Sequence, residues 1–164
     1  MTKISRSKIE PISTWTMEKI TNSIHINGRL EPIFDLVTTT KYWPQWHPAT
    51  VGVGGVTERP FTLHDQIIER AQIGPHLYEG TWTVVEWERP LQAKLQGSSN
   101  RIFITYSFQQ VSENVTEFRR QLEYYPADFA ASAPDPVQLA QLMHSQSQKA
   151  LEKLKQLVEE LISK

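Results

Sequence analysis

Three features of the sequence predict an α+β domain, in which a sheet of about seven antiparallel strands packs on one long C-terminal helix. Six consecutive runs alternate apolar and polar residues, the period of a half-buried strand. The segments between them are short and rich in Pro, Gly, Ser and Asn, so neighbouring runs should pair as antiparallel hairpins. The stretch from Val137 to Lys164 holds neither Pro nor Gly and carries an apolar stripe at helical spacing. At 164 residues the chain has the size of one domain rather than two.

An N-terminal arm, residues 1–17, precedes the folded domain, residues 18–164. The arm lacks periodicity and contains Pro11 and several Ser and Thr, so it is expected to be extended or disordered. A first strand is expected over Glu18 to Ile26, with Ile24 and Ile26 turned inward. In RLEPIFDLVTTT, Leu30, Ile33, Phe34 and Val37 fall at helical spacing, and Pro32 sits in the first turn, where its missing N–H matters little. TKYWPQWHP is too interrupted by proline for a long helix and too aromatic for a solvated loop, which predicts a second short helical turn, packed down. The strand-like runs follow: ATVGVGGV, QIIERAQIG, LYEGTWTVVEWE, LQAKLQGSS, RIFITYSFQQV and NVTEFRRQLEYY. In the fifth, Ile102, Ile104, Tyr106 and Phe108 share one face. The loop YPADFAASAPDP then delivers Asp135 as N-cap and Pro136 as the first residue of the long helix. Its stripe is Leu139, Leu142, Met143, Ala150, Leu154, Leu157, Val158 and Leu161. An isolated helix of that composition is marginal, so the stripe must pack on the sheet.

Composition excludes several functions. With 17 Lys plus Arg against 18 Asp plus Glu, the net charge is -1, which provides no field to attract nucleic acid or anionic lipid. Cys is absent, which removes disulfides, a thiolate nucleophile and Cys-ligated metal centres. No apolar h-region follows Lys3, Arg6 and Lys8, and no run approaches a membrane span, so a cytoplasmic protein without stable membrane insertion is expected. His25, His47, His64, His76 and His144 are widely separated and lack ligand spacing, so no metal is expected. The glycines of VGVGGV lack the helix that a nucleotide fingerprint requires, and no G-x-S-x-G elbow occurs, so no cofactor is expected and a serine nucleophile is disfavoured.

The order strand, two short helices, six strands, long helix resembles the START-related superfamily, also called SRPBCC. At residue level the likeness rests on Ile33-Phe34, on Tyr42-Trp43-Pro44-Gln45-Trp46-His47-Pro48 and on Val84-Val85-Glu86-Trp87-Glu88-Arg89-Pro90. The last two are similar to the bacterial polyketide cyclase or dehydrase subset, and the likeness covers about residues 18 to 163. It implies a helix-grip fold, a curved sheet wrapped round the long helix with a cavity between them. It implies no single reaction, because fold does not settle function.

The first half of the long helix, VQLAQLMHSQSQ, is poorer in large apolar residues than the second, so it is the half expected to border a cavity around Met143. Facing it, Tyr78, Trp82, Tyr106, Phe108, Phe118 and Tyr124 form an aromatic set able to wrap an apolar ligand or simply to fill the core. Trp82 and Tyr106 carry polar handles that would orient a ligand, with Trp46 as a further wall. Phe61, in the long connection GGVTERPFTLHD, is a candidate lid. Glu69 lies in register with Ile67, Ala71 and Ile73, which places a carboxylate on the buried face as a candidate acid or base; the other register buries Ile68 instead. His144, after Met143, is the second catalytic candidate, against an ordinary exposed helical histidine. His47 is either a hydrogen bonder at the cavity rim or a helix-end cap. Arg101, Arg119 and Arg120 either anchor a carboxylate or, as favoured, face solvent. The expected function is binding or carriage of a small hydrophobic molecule such as a lipid, polyketide or isoprenoid. The alternatives are a polyketide cyclase, aromatase or dehydratase using cavity acid–base residues, and a regulatory or chaperone-like interaction module.

Overall fold

A computed structural model describes residues 15–162. The predicted N-terminal arm therefore lies almost wholly outside the described residues. The elements are β1 (Glu18–Asn27), α1 (Leu30–Thr38), a 3-10 turn (Thr40–Tyr42), α2 (Trp43–Trp46), β2 (Thr50–Gly55), β3 (Gln66–Ile73), β4 (His76–Glu88), β5 (Gln92–Gly97), β6 (Phe103–Ser112), β7 (Val115–Tyr124), a second 3-10 turn (Pro126–Phe129) and α3 (Pro136–Ile162). The seven strands form one sheet, ordered β1-β7-β6-β5-β4-β3-β2, with every pairing antiparallel. Consecutive strands neighbour one another from β2 to β7, and β1 closes the far edge against β7. The result is the predicted α+β helix-grip fold.

Alternation decides what each strand turns inward. In β6, Ile104, Tyr106 and Phe108 are buried, and in β7 Thr116, Phe118, Arg120, Leu122 and Tyr124 are buried. These side chains meet α3, which begins as expected: Asp135 Oδ1 accepts the backbone N–H of Val137 at 3.1 Å, satisfying one otherwise orphaned donor of the first turn. Its inner face is Leu139, Met143, Ser147, Ala150, Leu151, Leu154 and Val158. The predicted stripe is right except at its end, where Leu161 is 46% exposed while Leu151 is fully buried. Leu151 extends the row of Ser147, Leu154 and Val158, so the buried face is wider than the stripe read from sequence.

The short helices lock the other side of the core. Trp43 and Trp46 are buried, and Trp43 Nε1 donates to the carbonyl of Val37 at 3.0 Å. Phe34 of α1 packs edge-on to Trp87 at 6.5 Å, and Arg89 grips Asp35 with two 2.9 Å hydrogen bonds. The segments Ile33-Phe34 and Val84–Pro90 thus touch in space.

The core seam yields a stability test. Leu151→Ala should cost about 2–5 kcal/mol in urea unfolding, while Leu161→Ala should change stability by less than about 0.5 kcal/mol. Equal losses at both positions would contradict this seating of α3.

Candidate functional site

A cavity of about 410 Å³ lies between the sheet and the first half of α3. Its position follows from side-chain size on the concave face. The inward residues of β3 to β5 at this end are small, with Ala71, Gly80 and Gly97 on three successive strands. Register places Glu69 opposite Gly80, and Trp82 opposite both Ile67 and Gly97. A Cβ built on Gly80 meets nothing within 4 Å, so this glycine leaves open space directly across from the Glu69 carboxylate. Met143, Gln146 and Ser147 of α3 form the opposite wall. The outer end is framed by the β5–β6 turn (Ser98, Ser99, Arg101) and the second 3-10 turn (Asp128, Phe129), with Arg101 and Asp128 paired at 2.8 Å.

The inner end is polar. His47, Glu69, Ile104 and Arg120 line the main cavity and also a smaller chamber of about 10 Å³, which Trp43, Trp46, Thr50 and Tyr106 complete. That volume is the size of one water molecule. Glu69 is held on both oxygens: Trp82 Nε1 donates to Oε1 at 2.9 Å and the Thr50 hydroxyl donates to Oε2. Arg120, 5% exposed, donates from Nη1 to Ser147 Oγ at 3.2 Å, while its Nε is buried without a partner. Both ring nitrogens of His47 and the indole N–H of Trp46 are likewise buried and unpaired. Burial and then the neighbouring Arg120 charge push the His47 imidazole well below its ordinary range, so the ring is neutral at pH 7. Burial raises the Tyr106 phenol strongly, with Arg120 pulling against it, and it stays protonated.

The sequence candidates separate clearly. Glu69, Tyr78, Trp82 and Met143 line the main cavity, and Trp46 and Tyr106 line the inner chamber. Glu69 follows the register with Ile67 inward, and Ile68 is 43% exposed. Phe108, Phe118 and Tyr124 are buried but line neither space; Phe118 packs 5.1 Å from Phe108 and 5.5 Å from Tyr106, which makes them core. Phe61 is fully buried, and its N–H donates to the carbonyl of Thr38 at 3.0 Å. Its loop, fastened by Arg59 to Asp65 at 2.7 Å, lines no part of the cavity, so Phe61 is a plug rather than a lid. His144 lies outside the cavity on the exposed side of α3, 3.4 Å from Asn22 Nδ2. Trp82 has given its polar handle to Glu69 and has none left for a ligand. Arg120 corrects the reading of a solvated face. It stands two residues after Phe118 and two before Leu122, so the alternation that buries them buries it too. Among the described residues no group of His, Asp or Glu is arranged to hold a metal.

A curled sheet gripping one helix, with a polar-ended cavity between them, defines the class of helix-grip domains. The chain belongs to the polyketide cyclase / dehydrase and lipid transport family, whose model matches residues 17–159. No curated protein matches it by sequence. Among solved structures it is similar to a START superfamily protein from Mycobacterium smegmatis, at TM-score 0.68 and 16% identity over 87% of this chain and 98% of that one. The Zhui aromatase/cyclase from Streptomyces sp. R1128 superposes at TM-score 0.66 and 10% identity, over 90% and 96% of the two chains. A norcoclaurine synthase from Thalictrum flavum gives 0.63 and 11%, over 88% and 96%. At these identities the likeness shows the fold alone.

The buried neutral imidazole sets a pH dependence. Unfolded, His47 gains a proton near pH 6.5; folded, it does so only at lower pH, so the unfolded state binds more protons in between. Stability is therefore present above pH 6.5 and lost as pH falls from there through the folded value. Between pH 7.5 and 5.5 the wild type should lose about 1 kcal/mol more than His47→Gln, measured by urea unfolding of both proteins at each pH. The groups facing His47, namely Arg120, Glu69 and Tyr106, are retained in both proteins, so an equal loss would show that His47 is solvated.

Proposed function

We propose that this protein binds a small, largely apolar molecule in the cavity between α3 and the sheet. The observation that carries this reading is the cavity itself: about 410 Å³, within the range of small-molecule sites, walled by Ala71, Ile73, Trp82, Ile102, Leu122 and Met143, and polar at one end. Membership of a family described by cyclisation, dehydration and lipid transport supports an apolar ligand of lipid, polyketide or isoprenoid type. A chaperone-like module with a vestigial cavity is less well supported, because about 410 Å³ of space remains beside Gly80 rather than being filled by side chains. Among the described residues no helix is long and apolar enough to cross a membrane.

A second reading has its own support. Glu69 and neutral His47 line the same space, so a ligand seated there has a carboxylate and an imidazole within the cavity wall, the groups that move protons in a cyclisation or dehydration. Two of the solved relatives bear the names of an aromatase/cyclase and a synthase.

The cavity-filling variant Gly80→Leu tests the binding reading. The added side chain enters open space on a strand whose backbone tolerates it, so folding should survive. Binding of the uncharged fluorophore N-phenyl-1-naphthylamine should fall at least tenfold, and ligand found by native mass spectrometry on the purified wild type should vanish from the variant. Unchanged fluorophore affinity would place the binding surface elsewhere.

A further inference from the structure

We propose that the polar end of the ligand is an anion, a carboxylate in the simplest case, and that the Arg120 guanidinium is the group that receives it. This rests on the binding reading above and specifies the chemistry of the ligand's head. A guanidinium is costly to bury unless its charge is met. Arg120 is 95% removed from solvent, yet its hydrogen-bond partners among the described residues are neutral hydroxyls, those of Ser147, at 3.2 Å, and of Tyr106. None of the ion pairs among the described residues includes it. Its Nε has no acceptor, and the residue lines both the main cavity and the inner chamber.

The surroundings favour an acceptor as well. The Trp46 indole N–H is a second buried, unpaired donor on the chamber wall, and the neutral His47 ring offers one N–H more. The acidic group facing this space is Glu69, and both of its oxygens already accept hydrogen bonds, from Trp82 and Thr50. Tyr106, the remaining titratable group of the chamber, stays neutral. Arg101 supplies the other cation of the cavity wall, but it stands at the mouth, exposed and paired with Asp128. The inner end therefore holds more donors than acceptors and one positive charge without a direct counter-ion. Apolar walls beyond it complete the match to an aliphatic or polycyclic acid. The competing arrangement is a single water in the 10 Å³ chamber that links Arg120 to Glu69 and satisfies the charge internally. In that case the ligand's head needs no charge.

A matched pair of probes decides between them. Decanoate and decan-1-ol share a chain length and differ at the head, and each is titrated at pH 7.5 against N-phenyl-1-naphthylamine bound to the full chain. The expected result is that decanoate displaces the fluorophore at roughly tenfold to hundredfold lower concentration, the range for hydrogen bonds to a charged group. In Arg120→Gln that preference should collapse to less than about threefold with the alcohol little changed, while Arg101→Gln should keep it. Equal displacement by acid and alcohol in the wild type overturns the anion reading and leaves the apolar cavity standing; this arm holds even where Arg120→Gln does not fold. Preference lost in Arg101→Gln but kept in Arg120→Gln also overturns it, by moving the anion to the mouth. Failure of wild type to bind the fluorophore or either probe overturns both readings together.

Discussion

The fold depends on one geometric constraint: a curled seven-stranded sheet has a concave face far larger than one helix can cover. Whatever α3 does not fill must be filled by side chains or left open. Between β5 and β7 the inward residues are large: Leu95, Phe108 and Phe118 pack as core, while Ile104 and Leu122 turn their bulk to the cavity as its wall. Between β3 and β5 they shrink to Ala71, Gly80 and Gly97, and there the cavity opens. The two glycines serve different ends. A Cβ on Gly97 would come within 2.4 Å of the Ile102 side chain, so this glycine is demanded by the packing of the β5–β6 turn. A Cβ on Gly80 would meet only space, so nothing in the packing demands it, and its consequence is the volume it leaves opposite Glu69.

Electrostatics at the inner end follow from that enclosure. In a region screened from water, a guanidinium, a carboxylate, an imidazole and a phenol feel one another strongly. The carboxylate accepts one hydrogen bond on each oxygen and the imidazole is driven neutral, whereas the guanidinium keeps an unused donor. Buried polar groups are nearly always satisfied in folded proteins, so a cluster of four unpaired atoms on His47, Trp46 and Arg120 around one small chamber is a concentrated cost. Such a cost is tolerated where a site uses it.

How far the sequence discloses this depends on which physical signal a residue obeys. Strand alternation and turn chemistry locate all seven strands and the Asp135 cap, because each is local, whereas the adjacent Ile67 and Ile68 leave two registers open at Glu69 that only the pairing with β4 decides. The same alternation marks Arg120 through Phe118 and Leu122, but charge argues for solvent, and pattern and residue type conflict there. The conflict is the signal. Phe61 shows the opposite failure: a phenylalanine in a long connection suggests a mobile lid, whereas a backbone bond to Thr38 and the Arg59–Asp65 clasp bury it. Thr38 lies far outside this connection, and no local pattern discloses that bond. Phe108, Phe118 and Tyr124 share a face with the cavity residues, and only the tertiary stacking of α3 separates aromatic wall from aromatic core.

Access to the cavity is a matter of which contacts part at low cost. The seam between α3 and the sheet is made of Leu139, Leu151, Leu154 and Val158, all fully buried, and opening it exposes apolar surface from end to end. The outer rim is different. It is formed by the Ser98–Arg101 turn and by the Pro126–Phe129 turn, tied across by an exposed Arg101–Asp128 pair whose contribution in water is about 1 kcal/mol or less. Behind it, Tyr78 packs on Phe129 at 5.0 Å and meets Ser132 through its hydroxyl at 2.9 Å, so the second turn is anchored at its base while its tip faces solvent. The rim is therefore the part of the cavity wall that parts at least cost, because an exposed ion pair rather than buried apolar surface holds it.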